Sequence, residues 1–94
     1  MPHTLREREI LAGARNRILR IMGRRRWSVE YLADATKLKT EKLYQLLKAP
    51  YADVEANYEV LNRLLRFGHS RLRPWDPATM RLLRMARDFR EFYR

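Results

Sequence analysis

W-S-V-E-Y-L-A-D-A-T-K-L-K-T-E-K-L-Y-Q-L-L-K, residues Trp27 to Lys48, reads as two short helices joined by a tight turn. Val29, Leu32, Ala33 and Thr36 recur at i, i+3, i+4 and i+7, so one helix over 28–36 presents them on a single face. Ser28 stands before that face as its N-cap. Thr40 is the corresponding cap for a second helix over 40–48, which turns Leu43, Leu46 and Leu47 inward. Lys37-Leu38-Lys39 leaves room only for a turn, with Leu38 as the plug between the helices. The 100° step per residue then puts Glu41, Tyr44, Gln45 and Lys48 on the outer side of the second helix, with Lys39 and Thr40 at its tip.

The flanks extend the helical pattern. After an arm over 1–4, Ile10, Leu11, Ala14, Ile18, Ile21 and Met22 form the apolar face of a helix over 5–22, with Gly23 as its expected stop. Gly13 weakens the first half of that helix, so its start is expected anywhere between Leu5 and Ala12. Arg24-Arg25-Arg26 follows as a loop of three like charges, and Trp27 is expected to staple it to the next helix. Past Pro50, Asp53 caps a helix over 53–67 whose inner face is Val54, Tyr58, Leu61, Leu64 and Leu65, ended by Gly68. Residues 70–74 are a basic connector, too short for a β-wing. Asp76-Pro77 opens a last helix over 77–93. Its stripe is Leu82, Met85, Ala86, Phe89, Phe92 and Tyr93, while Met80 and Leu83 fall among Arg81, Arg84, Arg87, Arg90 and Arg94. The expected fold is therefore all-α, a compact five-helix bundle in one domain.

The 94 residues suffice for a core without cross-links, and the absence of cysteine excludes a disulfide framework or a zinc finger. No apolar run approaches the ~20 residues that span a membrane, and the first residues carry no apolar signal region. A cytoplasmic location, at the nucleoid, is expected. The net charge of +10 is unevenly spread. Residues 1–26 hold eight Arg against Glu7 and Glu9, residues 27–70 balance six cations with six acids, and residues 71–94 hold seven Arg against three acids. Arg, with its planar fork, suits phosphate, so a polyanionic partner is expected, nucleic acid first.

From Ile18 to Pro50 the chain resembles the lambda-repressor-like (Xre/Cro) helix-turn-helix family: a first helix, a turn, a Ser cap, the Leu32-Ala33 pair and a second helix come in that order and spacing. Ala33 supplies the small side chain that the crossing helices need. Where the family usually has Gly in the turn this chain has Lys37, a departure that costs roughly 1 kcal/mol if the backbone there is left-handed. Leu61 to Leu72 is similar to the fourth helix of addiction-module antidotes, a branch of the same family, and five helices also suit phage repressor domains. The last helix has no counterpart in the resemblance.

The resemblance implies sequence-specific binding of double-stranded DNA, as a homodimer and for repression. Base reading would fall to Lys39, Thr40, Glu41, Tyr44, Gln45 and Lys48, with Gln45 placed for adenine and Lys39 or Lys48 for guanine or phosphate. Glu41 could accept from cytosine or repel a wrong phosphate register. Arg24, Arg25, Arg26, Ser28, Lys37 and Lys42 would hold the phosphate backbone. Met80, Leu83, Phe89, Phe92 and Tyr93 are a candidate dimer or partner surface, and the stripe of the last helix suits equally well a role in closing the protomer core over the first and fourth helices.

Two other readings stand beside it: a protein-binding adaptor or inhibitor using the last helix, and a nonspecific nucleic-acid or RNA binder using the Arg flanks. No cofactor, metal or catalytic residue is expected. There is no nucleophile–base pair or metal-ligand spacing, and His69 near Asp76 reads as a helix-end residue.

Overall fold

The computed structural model describes residues 5–48 and 54–92. They form five helices and, among the described residues, no strand: α1 Leu5–Arg25, α2 Val29–Thr36, α3 Thr40–Lys48, α4 Val54–Gly68 and α5 Pro77–Phe92. The fold is all-α, as the periodicity predicts. None of the helices is long and apolar enough to cross a membrane. The expected arm, the cap at Asp53 and the stripe residue Tyr93 lie outside the described residues, as do the side chains of Val54, Phe89 and Phe92.

α5 lies between α1 and α4, and α2 and α3 close the bundle against α4. The whole predicted face of α1 is buried, from Ile10 to Met22. Burial against α5 offsets the cost of Gly13, whose missing side chain faces Leu82, and α1 runs unbroken from Leu5. α4 contributes Val60, Leu61, Leu64, Leu65 and Phe67 to the same core.

The stripe predicted for α5 is displaced. Thr79, Met80, Leu83 and Ala86 are buried, Leu83 completely, while Leu82 and Met85 sit at the margin. A helix packed on two neighbours buries a wider arc than one stripe, and the core takes the residues between them. Met80 and Leu83 are therefore core residues and are not part of a dimer or partner surface.

α4 ends at Gly68 as expected, whereas α1 runs past Gly23. Gly23 and Gly68 are both helical, and no glycine has a positive φ. Among the described residues the left-handed positions are all cations: Arg26 (φ 57°), Lys37 (φ 58°) and Arg73 (φ 41°). α1 passes through Gly23 and stops at Arg26, where Trp27 N–H donates to Met22 O at 2.9 Å and Arg26 N–H to Gly23 O at 3.3 Å. That paired pattern is a Schellman stop, fixed by Trp27 folding back over the helix end rather than by a glycine. Gly68 serves close approach instead. A Cβ there would lie 2.6 Å from Trp75 Cδ1 and would also overlap the sulfur of Met80.

Trp75 seals this end of the bundle. Its indole N–H donates to Leu64 O at 2.8 Å, and its ring meets Phe67 edge-on at 5.7 Å and Trp27 at 6.4 Å. Trp27 itself packs against Tyr31 of α2 at 5.3 Å, the expected staple, and against Phe67 at 5.8 Å.

Asp76 caps α5 as expected. Its carboxylate accepts from the Thr79 hydroxyl and faces Arg17 of α1 at 3.3 Å. The Thr79 hydroxyl is the main reason the Asp76 carboxyl titrates below its usual 3.8, with Arg17 adding to the effect against some desolvation. A carboxyl depressed by folding stabilises the native state above its unfolded value and loses that contribution as the pH falls through the folded one. Asn retains the capping geometry without the charge. The stability difference between the native chain and Asp76→Asn should therefore stay constant from neutral pH down to about 5 and shrink below 3.8. Urea unfolding at a series of pH values checks this, and a difference that persists undiminished in acid would contradict it.

Candidate nucleic-acid interface

The outer face of α3 is organised by how the chain enters and leaves it. α2 begins at Ser28, whose hydroxyl accepts from Tyr31 N–H at 3.0 Å with the backbone extended (φ −82°, ψ 164°). α2 ends in a second Schellman stop: Leu38 N–H donates to Ala33 O at 2.9 Å and Lys37 N–H to Asp34 O at 3.2 Å. Lys37 occupies the left-handed position at φ 58°, ψ 38°, the conformation expected of the turn. Leu38 is buried as the plug, and Thr36 is buried with its hydroxyl donating to Leu32 O at 2.7 Å. Lys39 supplies the first carbonyl of α3, accepting from Lys42 N–H at 3.1 Å and Leu43 N–H at 3.2 Å. Thr40 is thus the first helical residue and not the cap.

Leu43, Leu46 and Leu47 are buried to within a few per cent and anchor α3 on the core. At its far end the Arg15 guanidinium of α1 donates to Leu47 O, occupying a carbonyl that the helix itself leaves open. α3 is thereby held by its apolar face, by the turn before it and by a side chain at its last turn.

Lys39, Thr40, Glu41, Tyr44, Gln45 and Lys48 are all exposed, as predicted, and share the outer side of α3. Lys48 Nζ rests 4.7 Å from the centre of the Tyr44 ring, a cation–π contact that orients both side chains. Lys42 differs from its predicted free role, because its ammonium pairs with Glu59 of α4 at 3.2 Å. Between exposed groups this pair is weak, so Lys42 remains exchangeable.

Arg24 and Arg25 form the last turn of α1 rather than a loop, and Arg26 follows in the left-handed position. All three are exposed. The Arg25 guanidinium lies over the Trp27 ring at 5.1 Å. Among the described residues no acid pairs with Arg24 or Arg26. These cations stand beside Ser28, at the opposite end of α2 from Lys37 and Lys39; eight helical residues separate the two groups by about 12 Å. The two sets of predicted phosphate contacts therefore bracket α2, while the predicted base readers lie together on α3.

Two features escaped the sequence. Arg15 was legible only as one of several flanking cations, since its bond to Leu47 O spans 32 residues. Arg63 and Arg66 carried a weak signal, a three-residue spacing on the outer side of α4, but nothing in the sequence shows what they face.

The left-handed lysine gives a direct test of the turn. Lys37→Gly removes the Cβ from a backbone that an L-residue adopts at a cost, which should raise stability by about 0.5–1 kcal/mol. In a domain of this size that corresponds to a rise of a few degrees in the unfolding midpoint. A fall in the midpoint would mean that the turn is not left-handed in solution.

No known protein family, no characterised protein and no solved structure matches this chain.

Proposed function

We propose that this protein is a sequence-specific regulator of double-stranded DNA, a repressor that reads the major groove with α3. The observation that carries the reading is the division of α3. Its inner side is three buried leucines, and its outer side is a polar, exposed row from Lys39 to Lys48 with donors, acceptors and one aromatic ring. The helix is short, and it is fixed at both ends, by the Lys37 turn and by Arg15. A rigid helix with an uncommitted polar face is what base-edge recognition requires. The unpaired arginines before α2 supply the charge that sequence-independent affinity needs. The resemblance of Ile18 to Pro50 to the lambda-repressor-like family supports the same reading, as does the net charge of +10. One α3 spans only a few base pairs, so the protein acts as a twofold dimer on half-sites about one helical turn, ~34 Å, apart. It is a binding protein of the cytoplasm and not an enzyme.

Gln45 is the sharpest point of test. Its amide can donate to N7 and accept from N6 of one adenine. Gln45→Ala should relax discrimination at a single base-pair position by about 1–3 kcal/mol while leaving affinity for unrelated duplex unchanged. Binding measured on a panel of singly substituted duplexes checks this. If specific and unrelated duplexes lose affinity equally, or neither does, Gln45 does not read a base.

A further inference from the structure

A groove of about 240 Å³ opens between the end of α2 and the last turns of α4. That is several times the roughly 30 Å³ share of one water molecule. Lys37, Arg63 and Arg66 line it, together with Thr36, Phe67 and Ser70, and no acidic side chain does. None of the three cations has an ion-pair partner among the described residues. The Ser70 hydroxyl is shielded from solvent and makes no hydrogen bond. It is a buried donor without an acceptor, on a residue that lines a groove rimmed by cations.

These features have one chemical complement. Like charges brought together without an acid repel one another unless an anion joins them, and a buried hydroxyl without an acceptor is stable only at a cost. Arg63 and Arg66 stand three residues apart on α4, one helical turn, so both guanidinium forks can reach the same group of oxygens. The cations have a second possible use, covering the carbonyl ends of α2 and α4. That use leaves the Ser70 hydroxyl unanswered. A second groove, beside Arg24 and Arg25, contrasts with this one because Asp76 stands in its wall.

We propose that this groove is a binding site for a phosphate group, gripped by Arg63, Arg66 and Lys37, toward which the Ser70 hydroxyl turns to donate a hydrogen bond. The phosphate is either a diester of a nucleic-acid backbone or a group on a free small molecule. The site does not depend on the role assigned to α3.

The test is a titration of the isotope-labelled full chain with inorganic phosphate, against chloride at matched ionic strength and without DNA, read at the backbone amides of Lys37, Arg66 and Ser70. The expected result is saturable movement of these three amides with phosphate and not with chloride. Arg63→Gln with Arg66→Gln should weaken binding about tenfold or more, and Ser70→Ala should weaken it several-fold without lowering the unfolding midpoint. Movement that rises linearly, or that chloride reproduces, overturns the site, as does full retention of affinity in both variants. Two further ligands identify the source. If a short duplex moves the same amides and competes with phosphate, the group belongs to the nucleic-acid backbone. If glycerol phosphate saturates the site and the duplex leaves it still, the ligand is a free phosphorylated molecule. Because DNA is absent from the first titration, failure there leaves the assignment of α3 standing, and failure of that assignment leaves the groove standing.

Discussion

Trp75→Ala should cost the fold about 3–5 kcal/mol, the range for emptying a large buried aromatic site. Trp75 is 5% exposed and touches α4 at three points. Its indole N–H donates to Leu64 O of α4, its ring packs edge-on against Phe67, and it closes over the bare backbone of Gly68. Truncation opens a cavity, strips one side of the cluster it shares with Trp27, and removes the side-chain donor that a helical carbonyl of α4 has beside its own backbone bond. Against a typical total stability of about 5–15 kcal/mol this is a large fraction. Trp75→Phe separates the contributions. It keeps most of the ring contact and loses the indole bond, so it should cost distinctly less than alanine. Urea unfolding of both variants checks the ordering. A cost below about 1 kcal/mol for alanine would mean that Trp75 is not buried where α4 and α5 meet.

Replacing Arg24, Arg25 and Arg26 together by Gln should weaken binding to every duplex while leaving sequence preference intact. Each phosphate neutralised by a cation releases counterions and contributes about 0.9 to the slope of log affinity against log salt. Three lost contacts should flatten that slope by roughly 2.7. The structure makes the test clean. The three side chains are exposed, and the one ring contact among them, Arg25 on Trp27, is at the surface. Folding stability should therefore change little. Affinity for one duplex measured at several salt concentrations gives the slope directly. An unchanged slope would mean that these arginines do not meet the backbone.

What could be read in advance was local. Ser28, the Lys37-Leu38 turn and the inward leucines of α3 are decided by neighbours within a few residues, and the structure has them as the pattern predicts. The left-handed Lys37 was legible only through the resemblance, because it stands where the lambda-repressor-like turn usually has Gly. Helix ends set by distant packing were not legible. Gly23 reads as a stop, yet α1 ends where Trp27 can join Phe67 and Trp75. Gly68 reads as a stop for conformational reasons, yet it is needed because Trp75 and Met80 come too close for a side chain. The phase of α5 failed for a related reason. A single stripe is too narrow for a helix with α1 on one side and α4 on the other, and Met80 and Leu83 fill the space between. The exposed face of α3 follows from its own periodicity. Its support by Arg15, the pairing of Lys42 with Glu59 and the Arg63–Arg66 groove arise only when separate helices meet.

The central claim is that α3 reads duplex sequence, and selection from a pool of random duplexes, with sequencing of the bound fraction, tests it most directly. The expected outcome is an enriched palindrome whose half-sites are centred about one helical turn apart, lost in a variant carrying Gln45→Ala and Lys39→Ala. Binding without any enriched motif, or no binding even at low salt, would contradict it.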